Sequence, residues 1–134
     1  MSRSGYSDDC DDNWSLIRWR GAVKSAIRGR RGQAFLREMI EALDAVPGKR
    51  LIAHDLKSSF DNVCAIGSVG LKRGVDMSTL DPNDPDTIAG VFGIATPLVR
   101  EIEFENDEGC YGFVETPEQR WARMRKWAVD NLAD

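Results

Sequence analysis

Apolar residues recur with helical spacing between Asn13 and Gly32, a stretch that holds six lysines and arginines and no acidic residue. At 100° per residue, one face collects the side chains that a helix buries: Leu16, Trp19, Val23, Ala26 and Ile27. The opposite face mixes apolar, small and cationic residues: Trp14, Ile17, Gly21 and Ser25 beside Arg18, Lys24 and Arg28. The pattern predicts an amphipathic helix with an unusual outer face.

The following segment, Gly29 to Gly32, predicts a basic turn, because glycine at both ends interrupts a helix. A second helix is predicted from Gln33 to Val46, where Pro47-Gly48 stops it. So short a connection favours a helical hairpin.

Three capping signals predict the later helices. Asp84 and Thr96 each precede a proline, the arrangement of an N-cap followed by proline at the first helical position. Thr116 and Gln119 have the spacing of a capping box, so the last helix begins there and runs to about Leu132. Its core stripe is Trp121, Met124, Ala128 and Leu132.

Other segments are less decided. Residues 50–56 and 63–64 are β-prone around a turn and predict a short hairpin. Residues 64–73 show weak helical spacing diluted by glycine, and a helix there would use its glycines for close backbone approach. Residues 98–106 fit a helix, although Glu101 to Glu105 alternates like a strand. The predicted fold class is mainly α (α+β): about five helices with a short β-hairpin near residues 50–64.

At 134 residues and 15.0 kDa the chain is long enough for one core. Residues 1–12, with Ser, Gly and four Asp, predict a flexible acidic leader, and residues 13–134 a single helical domain. No apolar run approaches the roughly 20 residues that span a bilayer, and no signal segment begins the chain. We therefore expect no membrane association and a cytoplasmic location.

The three cysteines, Cys10, Cys64 and Cys110, are widely spaced and lack a CxxC pair. We expect reduced thiols. With a single histidine, no metal-ligand spacing is present, and the Asp81 to Asp86 stretch lacks the glycine and the twelfth-position glutamate of a calcium loop. The sequence therefore predicts neither a metal nor a cofactor.

The net charge of -4 conceals a strong asymmetry. Residues 76–118 hold eleven acids and one arginine, whereas residues 13–32 and 119–126 carry six and four cations without an acid. These blocks either neutralise each other on folding or form separate surfaces for partners.

Tryptophan occurs twice outside the core stripe and among arginines. Trp14 lies near Arg18 and Arg28 on the first helix, and Trp127 lies between Arg120 and Arg123 on the last. Tryptophan and arginine carry much of the binding energy of protein interfaces. Either these tryptophans form contact surfaces or they cover the seam where the first and last helices meet.

Several segments together resemble a known family: DNWSLIRWRGAVKSAIRGRRGQAFLREMIEAL, KRLIAHDL, VCAIGSVGLKRGVDM, EIEFENDEG and ETPEQRWARMRKW. They are similar to a family of small uncharacterised proteins encoded by phages and prophages of proteobacteria, over nearly the whole chain past residue 11. The resemblance implies an accessory phage product in the bacterial host cytoplasm, where such proteins bind and block host components, defence systems included. It implies no catalytic residues.

The leading hypothesis is a non-enzymatic module that binds a host protein, as a monomer or a homodimer. Its predicted binding residues are the cations and tryptophans of the two outer surfaces: Trp14, Arg18, Lys24, Arg28, Arg120, Arg123 and Trp127.

Two alternatives involve nucleic acid. One is a regulator that binds phosphates through the first basic stretch: Arg18, Arg20, Lys24, Arg28, Arg30 and Arg31. The overall acidity, with a pI near 5.1, disfavours it. The other is an inhibitor whose acidic segment, residues 76–118, imitates DNA.

Catalysis is the third class of function. His54 and Cys64 lie on adjacent predicted strands and form a possible base and nucleophile. A thiol beside Val63 and Ile66 is more typical of a buried, inert cysteine, so we predict that the protein is not an enzyme.

Overall fold

The computed structural model describes residues 3–4, 13–58, 60–110 and 114–133, with side chains of the first helix described from residue 17 onward. These residues form six α-helices, confirming the mainly helical fold class. The helices are α1 (Asn13–Arg28), α2 (Arg30–Ala45), α3 (Ala65–Arg73), α4 (Pro85–Phe92), α5 (Thr96–Glu108) and α6 (Pro117–Asp130). Two 3-10 turns cover Pro47–Lys49 and Met77–Thr79.

Helix α2 lies at the centre of the packing and contacts α1, α3 and α6, while α5 contacts α1, α3, α4 and α6. The inner face of α2 is among the most buried parts of the chain, and its Leu36, Met39 and Leu43 side chains are inaccessible to solvent. The predicted stripe of α6 is confirmed: Met124 and Ala128 are buried, and Trp121 and Leu132 pack against the core.

Two of the three predicted caps are present, and the N-cap predicted at Thr96 is wrong: Ala95 precedes α5 without a side-chain cap, and the Thr96 hydroxyl bonds to Asp86 instead. The Asp84 side chain accepts a hydrogen bond from the Thr87 amide at the start of α4. Thr116 and Gln119 form a reciprocal capping box at the start of α6. Because each cap satisfies amides that lack partners within the helix, these short local sequences determine where the helices begin.

The two undecided segments are both helical, as α3 and α5. In α3 the glycines do permit close approach. A Cβ atom on Gly67 would lie 2.0 Å from the Leu56 carbonyl oxygen, and one on Gly70 would lie 2.4 Å from the Met77 sulfur.

The predicted β-hairpin is wrong. Among the described residues of the 50–64 segment, one antiparallel bridge joins Lys57 to Val63, and no sheet forms. His54 and Asp61 have positive φ angles of 70° and 59°, which interrupt a strand. The Ile52 amide still bonds to the Val63 carbonyl oxygen and the Cys64 amide to the Leu56 carbonyl oxygen, but between them the His54 amide and the Ile52 carbonyl oxygen bond to side chains of α5.

The predicted basic turn is also wrong in detail. The break between α1 and α2 is the single residue Gly29, whose ψ of 160° is extended, and Arg30 already belongs to α2. A Cβ atom on Gly32 would lie 1.9 Å from the Ala26 carbonyl oxygen. This glycine therefore allows the end of α1 and the start of α2 to pack in contact.

Among the described helices, none has the length and apolar character needed to cross a bilayer.

Candidate binding surface

Six cations near the N-terminal end of the fold form what we call the basic face: Arg18, Arg20, Lys24 and Arg28 of α1 with Arg30 and Arg31 of α2. All six side chains are exposed. None forms an ion pair or a hydrogen bond with a described residue. Arg37 and Arg50 are the other described cations without such a partner.

The basic face is electrostatically unfavourable within the chain itself. Arg20, Lys24 and Arg28 follow one another at intervals of four residues, the spacing at which like charges repel along a helix. Arg30 and Arg31 lie in the first turn of α2, at the positive end of the helix dipole. That helix has no side-chain cap and no acid in its first turn. Among the described residues, no acidic side chain pairs with these cations, although Arg28 lies in the last turn of α1, where the helix dipole favours a cation.

An apolar residue lies within the basic face. Ile17 is 60% exposed, and helical geometry places it on the same side of α1 as Lys24 and Arg28. Gly21 lies one turn further on, where an added Cβ atom would meet open space. The described part of the outer side of α1 therefore presents one exposed apolar side chain, Ile17, on the side that carries Lys24 and Arg28.

The inner side of α1 packs against α5, and the end of α1 is bonded to the Gln33 side chain. The Arg100 guanidinium of α5 lies 4.6 Å from the centre of the Trp19 ring, a cation–π contact, and Val23 is buried. At the end of α1 the Gln33 side chain donates to the carbonyl oxygens of Ile27, at 2.8 Å, and Asn131, at 3.1 Å. These contacts fix the orientation of the basic face relative to the core.

The cations of α6 are used differently. Arg123 forms two hydrogen bonds with Glu115, at 2.6 and 3.0 Å, and also donates to the carbonyl oxygens of Glu105 and Asn106. Arg120 donates to the Leu51 carbonyl oxygen at 2.9 Å, and its Nε atom lies 3.4 Å from Glu115.

The next two cations of α6 are paired as well. Arg125 forms two hydrogen bonds with Asp44, and Lys126 pairs with Asp130. Every cation of this helix therefore contacts a carboxylate of the same chain.

The predicted tryptophans differ in what the structure describes. Trp127 is partly buried and packs against the hydrophobic core. The side chain of Trp14 lies outside the described residues, and so does Cys10. The structure thus leaves Arg18, Lys24 and Arg28 exposed on α1 without a described partner, whereas Arg120 and Arg123 are engaged within the protein.

Sequence reasoning missed a buried charged cluster on α5. Arg3 donates from Nε and Nη2 to the two carboxylate oxygens of Asp107, at 2.6 and 2.9 Å. The Arg3 Nε atom also lies 3.2 Å from Glu103, and at most 2% of each of these three side chains is exposed. The available signal was that Glu103 and Asn106 share the apolar face of α5 with Val99 and Ile102.

Burial affects the two carboxyl groups of this cluster in opposite ways. Burial raises the pKa of Glu103 to about 8, more than the attraction of Arg3 lowers it. Burial also disfavours ionised Asp107, but hydrogen bonds from Arg3 and the His54 amide keep its pKa below the ordinary value. Near neutral pH the cluster therefore contains one cation, one anion and a mostly protonated acid.

The candidate catalytic pair is not assembled. Cys64 is buried, caps α3 by accepting a hydrogen bond from the Gly67 amide, and has a pKa raised by burial. The His54 side chain is 73% exposed, and its Nδ1 atom lies 3.7 Å from Asp107. Within the described residues no hydrogen bond joins His54 to Cys64, and no group of side chains is arranged to hold a metal ion.

A shallow cavity of about 170 Å³ lies beside the basic face, lined in part by Arg31, Phe35 and Arg73. The Arg73 guanidinium fills its edge, bonded to Glu38 and positioned over the Phe35 and Phe92 rings. Small-molecule sites usually enclose roughly 300–1,000 Å³. We interpret this feature as a packing contact between α2, α3 and α4.

Comparisons of the chain with protein-family models, with curated proteins and with solved structures find no match.

Proposed function

We propose that the protein is a non-catalytic binding module that docks its basic face onto the acidic surface of another protein. The observation that supports this proposal most directly is the set of six exposed cations without a partner among the described residues. Unpaired charges of one sign contribute nothing to the stability of the fold, but they accelerate and orient association with an oppositely charged surface.

The composition of the outer side of α1 fits a protein partner. Ile17 supplies an exposed apolar group near the start of α1, Arg18 lies beside it in sequence, and Arg28 lies about three turns further along the same helix. Interfaces commonly combine a desolvated apolar centre with arginine and a polar rim. In the phage setting implied by the sequence resemblance, the partner would be a host protein, defence components included, and the module would act by covering part of its surface in the host cytoplasm.

A second candidate is a nucleic-acid partner. It is favoured by the row of Arg20, Lys24 and Arg28, whose side chains are spaced by one helical turn and are all free to contact phosphates. The net charge of -4 opposes it, since a polyanion is repelled by the rest of the surface. We therefore rank it second.

Affinity capture with matched charge reversals tests the proposal. The Lys24→Glu/Arg28→Glu variant alters the basic face, and Arg125→Glu/Lys126→Glu makes the same change in net charge on α6. Tagged wild-type protein and both variants are incubated with nuclease-treated bacterial lysate, and the retained proteins are quantified. We expect a set of proteins retained by the wild type and by the α6 variant to be lost, at least tenfold, with the basic-face variant.

Equal retention by all three proteins would show that the basic face does not bind a protein partner. A parallel gel-shift titration of wild-type protein into a labelled DNA duplex of about 30 base pairs at low salt tests the nucleic-acid candidate. Retardation that disappears with Lys24→Glu/Arg28→Glu, together with equal capture from lysate, would replace the protein partner with nucleic acid.

A further inference from the structure

In the buried charged cluster on α5, the Arg3 side chain occupies a site formed by the Glu103 and Asp107 carboxyl groups. Arg3 is distant in sequence from the helix, yet its guanidinium lies between Glu103 and Asp107 and is almost fully buried. The adjacent residue Ser4 is also buried. Its carbonyl oxygen accepts a hydrogen bond from Arg100, and its hydroxyl lies 3.5 Å from Glu108. We call the space between the Glu103 and Asp107 carboxyl groups the guanidinium slot.

The geometry of the slot matches a guanidinium and not an ammonium group. Two parallel N–H groups of Arg3 meet the two oxygens of Asp107, and the Nε atom is also close to Glu103. Such a two-point contact requires the planar fork of arginine, whereas the lysine ammonium behaves as a point charge.

The slot is held open by groups other than Arg3. The Asp107 carboxylate accepts hydrogen bonds from the His54 amide, at 3.0 Å, and from the Asn106 side chain, at 2.9 Å. Asn106 in turn accepts a hydrogen bond from the Ala65 amide and donates to the Ile52 carbonyl oxygen. The acceptor geometry of Asp107 is therefore set by α5, α3 and the 50–64 segment.

The resident arginine does not satisfy the slot completely. Both Glu103 oxygens and the Nη1 atom of Arg3 are buried without a hydrogen bond to any described residue. Buried polar atoms without hydrogen bonds cost free energy, so a guanidinium with a different approach can gain bonds that Arg3 lacks. The two-point contact with Asp107 defines guanidinium as the ligand class, and the unsatisfied Glu103 oxygens leave acceptors for a guanidinium that binds in another orientation.

We propose that the guanidinium slot is a guanidinium-specific binding site, which Arg3 occupies within the chain and which a free guanidinium ligand can occupy in its place. Without Arg3, the Asp107 carboxylate loses its bidentate partner and keeps the His54 amide and the Asn106 side chain as donors. Because the His54 amide bonds to the same carboxylate, exchange at the slot also reaches the 50–64 segment. This proposal does not depend on the function proposed for the basic face.

Chemical rescue tests the slot. Arg3→Ala in the full chain is compared with Arg37→Ala, which removes an exposed arginine without a described partner. We expect Arg3→Ala to lower the Tm by roughly 10 °C, as breaking a buried ion pair does, and Arg37→Ala to leave it unchanged. Methylguanidinium at about 20 mM should then restore several degrees to Arg3→Ala alone, while methylammonium at the same concentration restores none.

Three results would overturn the proposal: an unchanged Tm for Arg3→Ala, equal rescue by both cations, or equal stabilisation of Arg37→Ala by methylguanidinium. If Arg3→Ala does not fold, Arg3→Lys provides the test, since it preserves the charge and removes the fork. A Tm below that of the wild type, raised selectively by methylguanidinium, supports the site. A wild-type Tm for Arg3→Lys shows that only charge matters and contradicts it.

Discussion

Helix α6 and the basic face contain the same kinds of residue, arginine and lysine on amphipathic helices, but the fold uses them in opposite ways. In α6 the guanidinium of Arg123 is bonded to Glu115 and to two carbonyl oxygens. On the basic face, Arg28 and its neighbours have no partner among the described residues. The comparison shows that cations of similar sequence context form intramolecular ion pairs in one region and have no described partner in the other.

The difference arises from where the acidic residues are used. In residues 76–86 the aspartates mainly accept local hydrogen bonds: Asp76 from the Ser78 amide, Asp81 from the Asn83 amide and Asp84 from the Thr87 amide. On α5, Asp107 is occupied by Arg3. Carboxylates from three other parts of the chain reach α6, and none reaches the basic face in the described structure. The opposite-sign segments therefore do not simply neutralise each other.

The largest expected effect on the free energy of unfolding concerns the packing of α1 against α2 at Gly32. Gly32→Ala places a Cβ atom against the Ala26 carbonyl oxygen, so α1 and α2 must separate. We expect it to destabilise the protein by about 3 kcal/mol, in the range of severe overpacking. Gly21→Ala is the matched control: its Cβ atom meets nothing, and alanine favours a helix, so stability should rise by about 0.5–1 kcal/mol. Urea unfolding measures both, and equal effects would contradict the packing of α1 on α2.

The second prediction separates the two basic regions directly. Arg123→Ala removes four hydrogen bonds and leaves Glu115, whose side chain is 6% exposed, without its main partner. We expect a loss of about 2–3 kcal/mol. Arg28→Ala should change stability by less than about 0.5 kcal/mol, as expected for a surface substitution. If thermal unfolding shows a similar loss of stability for Arg123→Ala and Arg28→Ala, then the cations of α6 and of the basic face contribute equally to the fold, which contradicts the comparison.

The third prediction is an acid dependence confined to the paired region. Hydrogen bonds from Arg123 hold the pKa of Glu115 below its ordinary value of 4.5, although burial opposes this. The native state thus binds this proton less readily than the unfolded chain does. The stabilisation is complete above the ordinary pKa and is lost as the pH falls below it, towards the native value. Glu115→Gln removes the titrating group, so the variant should be less stable than the wild type at pH 7 and should lose less unfolding free energy between pH 7 and about pH 3. An unchanged pH dependence would show that the ion pair contributes little.

Much of the helical architecture was predictable from local sequence. Thr116 with Gln119, and Asp84 before a proline, are capping arrangements whose hydrogen bonds span three residues, so a single sequence contains all that they require. The hairpin prediction failed for the opposite reason. The 50–64 segment keeps two backbone hydrogen bonds between its ends but also bonds to Asn106 and Asp107, and no local pattern reveals that side chains of a distant helix take backbone groups in its middle.

The candidate site was predictable only where its residues are close together in the sequence. The cations of the basic face were visible because they are adjacent on one helix and need no partner to be recognised. Arg120 and Arg123 have the same appearance in sequence, and their engagement depends on Leu51 and Glu115, whose positions only the fold determines. The slot occupied by Arg3 joins residues about a hundred positions apart, which periodicity does not connect.

The smallest expected effect is on stability when the basic face is neutralised. Arg20→Gln, Lys24→Gln and Arg28→Gln together remove two like-charge contacts, each worth about 0.2–0.5 kcal/mol along a helix, so the triple variant should be as stable as the wild type or slightly more stable. The wild type should also gain more stability from added salt, which screens the repulsion that the variant lacks. Thermal unfolding at low and high salt measures both effects. A clear decrease in Tm for the variant would mean that these cations are paired in the folded protein, and the basic face would then lose its physical basis as a binding surface.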